Sequence, residues 1–251
     1  MEEAYVKQEI LNGIATIEFF HPDQNSLPGD ILSQLAREIS DAGENNEVKV
    51  IVLKSGGDRT FCAGASFKEL ISIDDEATGK KFFSGFANVI NAMRRSPKFI
   101  IGRIQGKAVG GGVGLAASTD YCMATTFAAI KLSELNVGIG PFVVSPAIER
   151  KMGLSALSQI AIDANTFYDA QWAKEKGLYT QVFETIEELD AAVVQFANHL
   201  CTYNPEAMKE MKKIFWQGTD HWDELLLSRA AISGRLVLSD FTKEKLKKFR
   251  S

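Results

Sequence analysis

The segment that most restricts how this chain can fold runs from Phe99 to Leu115. Phe99 to Ile104 is an apolar run that reads as a buried strand, and three consecutive glycines, Gly110, Gly111 and Gly112, follow it before a helix-compatible stretch. Glycines at a strand-to-helix junction let the backbone approach a neighbour or ligand closely. The first amides of the helix have no intrahelical partner, so such a turn can stabilise negative charge. On its own the pattern fits tight packing equally well.

The flanking patterns extend this unit into a fold class. Ala15, Ile17 and Phe19 alternate with Thr16 and Glu18 after the turn residues Asn12-Gly13, which predicts a strand. Ile31, Leu35 and Ile39 share one helical face after Pro28 and Asp30. Val48 to Leu53 predicts a buried strand ended by Ser55-Gly56-Gly57-Asp58, and Tyr121 to Thr125 and Ala129 to Leu132 read as short strands. Strands alternating with helices imply an α/β core with its site at the strand C-terminal ends. Beyond about residue 143 the signal is mainly helical. Ile186, Leu189, Val193, Phe196 and Leu200 form one stripe, and Met208, Met211 and Phe215 form another after Asn204-Pro205. The reading is one α/β core over residues 1–185 with an appended helical segment over residues 186–251.

Charge and composition remove several function classes. The 251 residues carry a net charge of -4, against the basic excess of a general nucleic-acid binder. Cys62, Cys122 and Cys201 are an odd number without paired spacing, which suits free thiols in a reducing compartment. The acidic opening lacks a signal-peptide layout, and the longest apolar runs fall short of a membrane span. The expectation is a soluble cytoplasmic protein. His21, His199 and His221 are dispersed without metal-ligand spacing, so no metal is expected. Cys62 and Cys122 lack a nearby histidine and are not expected to act as nucleophiles.

Two more segments join the triple glycine in carrying chemistry. Thr60-Phe61-Cys62-Ala63-Gly64-Ala65-Ser66-Phe67-Lys68-Glu69-Leu70 offers small residues just after a strand, where backbone amides can meet a ligand. Lys131-Leu132-Ser133-Glu134-Leu135-Asn136-Val137-Gly138 places one carboxylate at the end of a short apolar strand. Neither a dinucleotide fingerprint nor a Walker-type Gly-Lys-Ser/Thr fits the chain.

In this order, the three segments resemble the crotonase (enoyl-CoA hydratase/isomerase) superfamily. The resemblance extends from His21-Pro22-Asp23-Gln24-Asn25-Ser26-Leu27 to Asp169-Ala170-Gln171-Trp172-Ala173 and Lys176-Gly177-Leu178. It implies a ββα spiral core with a C-terminal helical trimerisation segment, assembled as homotrimers or homohexamers. It also implies an acyl-CoA thioester as substrate and no prosthetic group. By this resemblance the amides of Ala65 and Gly111 form an oxyanion hole, each donor contributing about 3–4 kcal/mol to the transition state. Glu134 handles the proton. Ala63 and Gly64 hold the adenine end of CoA, with Gln24 and Lys68 near the pantetheine and phosphates. Gly110, Pro141 and Phe142 line the acyl pocket. The lysines Lys243, Lys245, Lys247 and Lys248 either meet a CoA phosphate or form a solvated helix end.

The chain departs from the hydratase pattern at defined positions. Aligned on the triple glycine, the first of the hydratases' two glutamates falls at Gly114 and the second at Glu134. Pro141-Phe142-Val143-Val144-Ser145 stands where hydratases commonly carry a glycine-rich Pro-Gly-x-Gly-Gly stretch, which should reshape the acyl pocket. Ser66 replaces a common aspartate, with only a structural effect expected, and Asp120 is expected to be structural. Lys80 and Lys81 lie in a region that often covers the acyl pocket and are read as a solvated face. A lone glutamate slightly favours double-bond isomerisation. Hydration of a branched enoyl-CoA such as methylglutaconyl-CoA stays open, as do decarboxylation, thioester hydrolysis and a catalytically weak acyl-CoA-binding protein.

Overall fold

A computed structural model of the chain describes residues 3–247. It opens with an antiparallel hairpin, β1 (Tyr5–Leu11) and β2 (Ile14–Phe20), which turns at Asn12 and Gly13, both at positive φ. Then come β3 (Ser26–Leu27), α1 (Gly29–Glu44), β4 (Val50–Ser55), β5 (Thr60–Cys62) and β6 (Gly64–Ala65). The short α2 (Phe67–Leu70) and the long α3 (Glu76–Arg95) lead to β7 (Phe99–Ile104), β8 (Lys107–Val109) and α4 (Gly111–Ser118). After β9 (Tyr121–Thr125) and β10 (Ile130–Lys131) the chain makes one turn of 3-10 helix at Glu134–Val137. Next are α5 (Ser145–Ile162), α6 (Ala170–Glu175) and β11 (Gln181–Phe183). The chain ends in α7 (Ile186–Leu200), α8 (Pro205–Phe215), α9 (Trp222–Leu236) and α10 (Asp240–Lys247). Lys248 lies outside the described residues.

The main sheet has the order β1-β2-β4-β7-β9-β11, with every pair parallel except the opening hairpin. Parallel strands are covered on both faces, and β4 shows how its sequence meets that demand. Ile51 and Leu53 point into the larger core, whereas Val50 and Val52 point the other way. On that second face Leu189, Val193, Ala197 and Leu200 of α7 bury against Val50, Val52, Ile101 and Met123. The α7 stripe therefore packs inside its own subunit. A smaller parallel sheet, β10-β8-β5, and the pair β3-β6 stand beside the main one and carry the glycine-rich segments.

The second helical stripe differs from its sequence reading. In α8 Met208 is buried, but Met211 and Phe215 are exposed, and the inward side is completed by Lys212 and by Trp216 just beyond the helix. The reason is Asp120, whose buried carboxylate needs partners. Its Oδ2 accepts from Lys212 Nζ at 2.6 Å and from the Ile100 amide at 2.8 Å, and its Oδ1 accepts from Trp216 Nε1 at 3.0 Å. Asp120 is thus structural, tying the start of β9 to α8. The Ala129 to Leu132 strand shortens to Ile130–Lys131.

Two contacts bring the C-terminal helices over the site. A β-carbon at Gly79 would lie 2.8 Å from Gly234 Cα, so α3 and α9 meet backbone to backbone. In α10 the buried Thr242 and the Phe241 ring sit against Gly138, which caps the 3-10 turn at φ +86°.

Candidate active site

A cavity of about 350 Å³ opens between the glycine-rich turn into α4, the 3-10 turn with the loop after it, and helices α2, α3 and α9. Ala63, Gly64 and Ala65 enter it from one side, Gly110 and Gly111 from the second, and Glu134 from the third. Pro141 and Phe142 line it as well, next to Val143 and Val144. Apolar walls come from Phe67 and Leu70 of α2 and from Phe83 and Phe86 of α3. Among the described residues lining the cavity, Glu134 is the one ionisable side chain.

Local geometry explains why glycines stand where they do. Gly110 adopts φ +53° and ψ -116°, which disfavours a side chain, and a β-carbon there would lie 2.9 Å from Glu134 Oε1. The carboxylate therefore rests directly over the turn. Gly111 is crowded by the Phe86 ring and Gly112 by the Cys62 carbonyl, so α4 begins as close to these neighbours as a backbone can. Gly64, at φ +93°, brings its segment to within a β-carbon's reach of Val109 O and Gly111 N, at 3.2 and 3.7 Å.

Ala65 and Gly111 both line the cavity, each from one of these segments. Gly111 is the first residue of α4, where the N–H has no intrahelical acceptor, and the helix N-terminus adds positive potential. In the β3–β6 pair the Ser66 amide donates to Leu27 O and the Ala63 amide to Asn25 O.

Glu134 touches the cavity, but its Oε2 is enclosed and has no hydrogen-bond partner among the described residues. Burial pushes its carboxyl up to about 7, offset in part by the amides of Glu134 and Ser133. A carboxyl balanced between its two forms near neutral pH can take and return a proton. The thiols are the opposite case. Burial raises Cys62 to about 12 and Cys122 to about 11, leaving neither a thiolate nucleophile.

Other residues singled out in the sequence fall away from the cavity. Lys68 lines a separate surface depression with His21, Asp23, Asp30 and Glu69, and Gln24 accepts a hydrogen bond from Thr60 Oγ1 at an exposed turn. Ser66 caps α2 by accepting from the Glu69 amide at 3.3 Å. Lys80 and Lys81 are exposed, while Phe83 and Phe86 from the same helix face the cavity. Lys243 and Lys247 are exposed on α10, and Lys245 lies over the Phe241 ring. The sequence reading missed Ser233 of α9, which reaches the cavity through the Gly79–Gly234 crossing. The paired glycines were its only local signal, 155 residues apart by their numbers. Among the described residues no cluster of three or more metal-ligating side chains occurs, and no helix is long and apolar enough to cross a membrane.

This arrangement has counterparts in known proteins. The family model described as enoyl-CoA hydratase/isomerase matches residues 9–248. The mouse (Mus musculus) protein named methylglutaconyl-CoA hydratase, mitochondrial, is 30% identical over 201 residues, covering 78% of this chain and 63% of that protein. The chain thus spans less than two thirds of that relative's length. The Arabidopsis thaliana protein named Delta(3,5)-Delta(2,4)-dienoyl-CoA isomerase, peroxisomal, is 27% identical over 84% of this chain and 82% of its own. The crystal structure of an enoyl-CoA hydratase from Bacillus halodurans superposes with a TM-score of 0.90 at 20% identity, covering 97% and 99% of the two chains. With a family match over nearly its whole length and the fold to go with it, the chain belongs to the enoyl-CoA hydratase/isomerase family of the crotonase superfamily.

Proposed function

We propose that the protein isomerises the double bond of an acyl-CoA thioester, with Glu134 carrying a single proton between two carbons. The observation that supports this best is the lone, enclosed carboxylate over the Gly110 turn, raised to about 7 by burial. A β,γ-enoyl thioester would lie with its carbonyl oxygen toward the Ala65 and Gly111 amides. Glu134 removes a proton from the α-carbon, the charge moves onto the thioester oxygen, and the two amides hold it as an enolate. The same carboxyl then returns the proton to the γ-carbon, which leaves a conjugated α,β-enoyl thioester. No water is consumed, so one carboxylate suffices.

A second reading is hydration of a branched enoyl-CoA, supported by the 30% identity to the mouse protein named methylglutaconyl-CoA hydratase. Incubating the protein separately with a short α,β-enoyl-CoA and a short β,γ-enoyl-CoA distinguishes the two. Isomerisation gives a new conjugated thioester of unchanged mass from the β,γ substrate. Hydration gives a product heavier by one water from the α,β substrate, and that result would replace the proposal.

A further inference from the structure

One side chain of the cavity wall has no part in the proton transfer above, yet its position bears on which reaction follows. Gly114 is buried in α4, and a β-carbon there would overlap Val144 Cγ1 and lie 2.7 Å from Val144 Cβ. Val144 immediately precedes α5, which packs on α4, and it also lines the cavity that Glu134 enters. Its β-branched side chain has few χ1 alternatives, so it cannot easily turn away. The interior is too tightly packed around it to absorb an overlap of this size without cost.

We propose that Val144 determines the reaction by filling the space beside Gly114, which excludes both a second carboxylate and a water positioned by it. The proposal rests on the single-carboxylate reading of Glu134. Addition of water to an α,β-enoyl thioester breaks one O–H bond, forms a C–O bond at the β-carbon and delivers a proton to the α-carbon. The water must be held by two or more polar groups while this happens. Val144 offers none, and neither do the side chains of Val143 and Phe142 beside it. The glycine at 114 and the valine at 144 are therefore one determinant: a side chain at the first position requires a smaller residue at the second.

Two sets of variants test this. In the first, Gly114→Ala, Val144→Ala and the double variant are compared by thermal unfolding. Gly114→Ala should lower the unfolding temperature although alanine is the better helix former, and adding Val144→Ala should recover much of the loss. In the second, Gly114→Glu/Val144→Gly should add water to an α,β-enoyl-CoA at least about 100-fold faster than the wild type, the low end of general acid–base effects. A Gly114→Ala variant as stable as the wild type, or losses that simply add, would remove the contact and the proposal with it. A folded Gly114→Glu/Val144→Gly protein that makes no hydrated product would overturn it too. Should that variant not fold, Gly114→Asp/Val144→Gly, which adds a shorter carboxylate at the same place, decides by the same readout. Hydration by the wild type would instead overturn the single-carboxylate reading, while the unfolding series would still report on the contact.

Discussion

At the scale of single residues, Glu134 carries opposite consequences for activity and stability. Its base form is needed to take a proton, so kcat/KM should rise with pH through about 7 and fall roughly tenfold per pH unit below it. Glu134→Gln should lose about 10²–10⁴-fold in turnover while still binding a CoA thioester, as read by calorimetry. Folding has the reverse preference. The native carboxyl titrates near 7 rather than its ordinary 4.5, so the folded state holds a proton that the unfolded state releases between these values. Stability therefore falls as pH rises from 4.5 through 7, by at most about 3 kcal/mol. Glu134→Gln should accordingly be more stable than the wild type at pH 8, with the difference vanishing below 4.5; equal unfolding curves at pH 8 would contradict a buried, unpartnered carboxylate. The identity of Glu134 was legible from its motif. Its enclosure was not, because the walls come from α2, α3 and α9, far away in the chain.

At the scale of elements, the turn into α4 and the anchor of α8 make separable predictions. Gly110→Ala forces a side chain into a left-handed backbone and within 2.9 Å of Glu134 Oε1. It should depress kcat more than thioester affinity, which a steady-state comparison with a binding titration reads directly. Asp120→Ala leaves Lys212 buried without its carboxylate and should cost about 3–5 kcal/mol in chemical denaturation. Adding Lys212→Met should return part of that loss, because the stranded charge is then gone. Periodicity located β2, β4, β7 and α7 because each buries an uninterrupted apolar face. It did not find the inward side of α8, because a buried lysine paired to Asp120 looks polar in sequence, while Met211 and Phe215 look apolar and stand exposed on the single chain.

At the scale of the whole molecule, the C-terminal helices serve their own subunit first. α7 covers one face of the sheet, α9 crosses α3 at paired glycines, and α10 braces the turn that bears Glu134. This leaves Val194, Met211, Ile214 and Phe215 exposed on α7 and α8. We propose that this apolar surface meets further copies of the chain, so light scattering should find a trimer or a multiple of it; a monomer at micromolar concentration would contradict this. The fold class and the order of the three motifs could be read from local patterns, since each lies within a short segment. The match between Gly114 and Val144 could not, because it depends on how α5 lies against α4. The central claim, that one carboxylate shuttles a proton between carbons, is tested most directly by turning over a β,γ-enoyl-CoA in deuterium oxide and weighing the product. The account predicts a conjugated thioester with no added water, changed in mass only by exchanged hydrogen, and none from Glu134→Gln. A hydrated product, or undiminished turnover by Glu134→Gln, would contradict it.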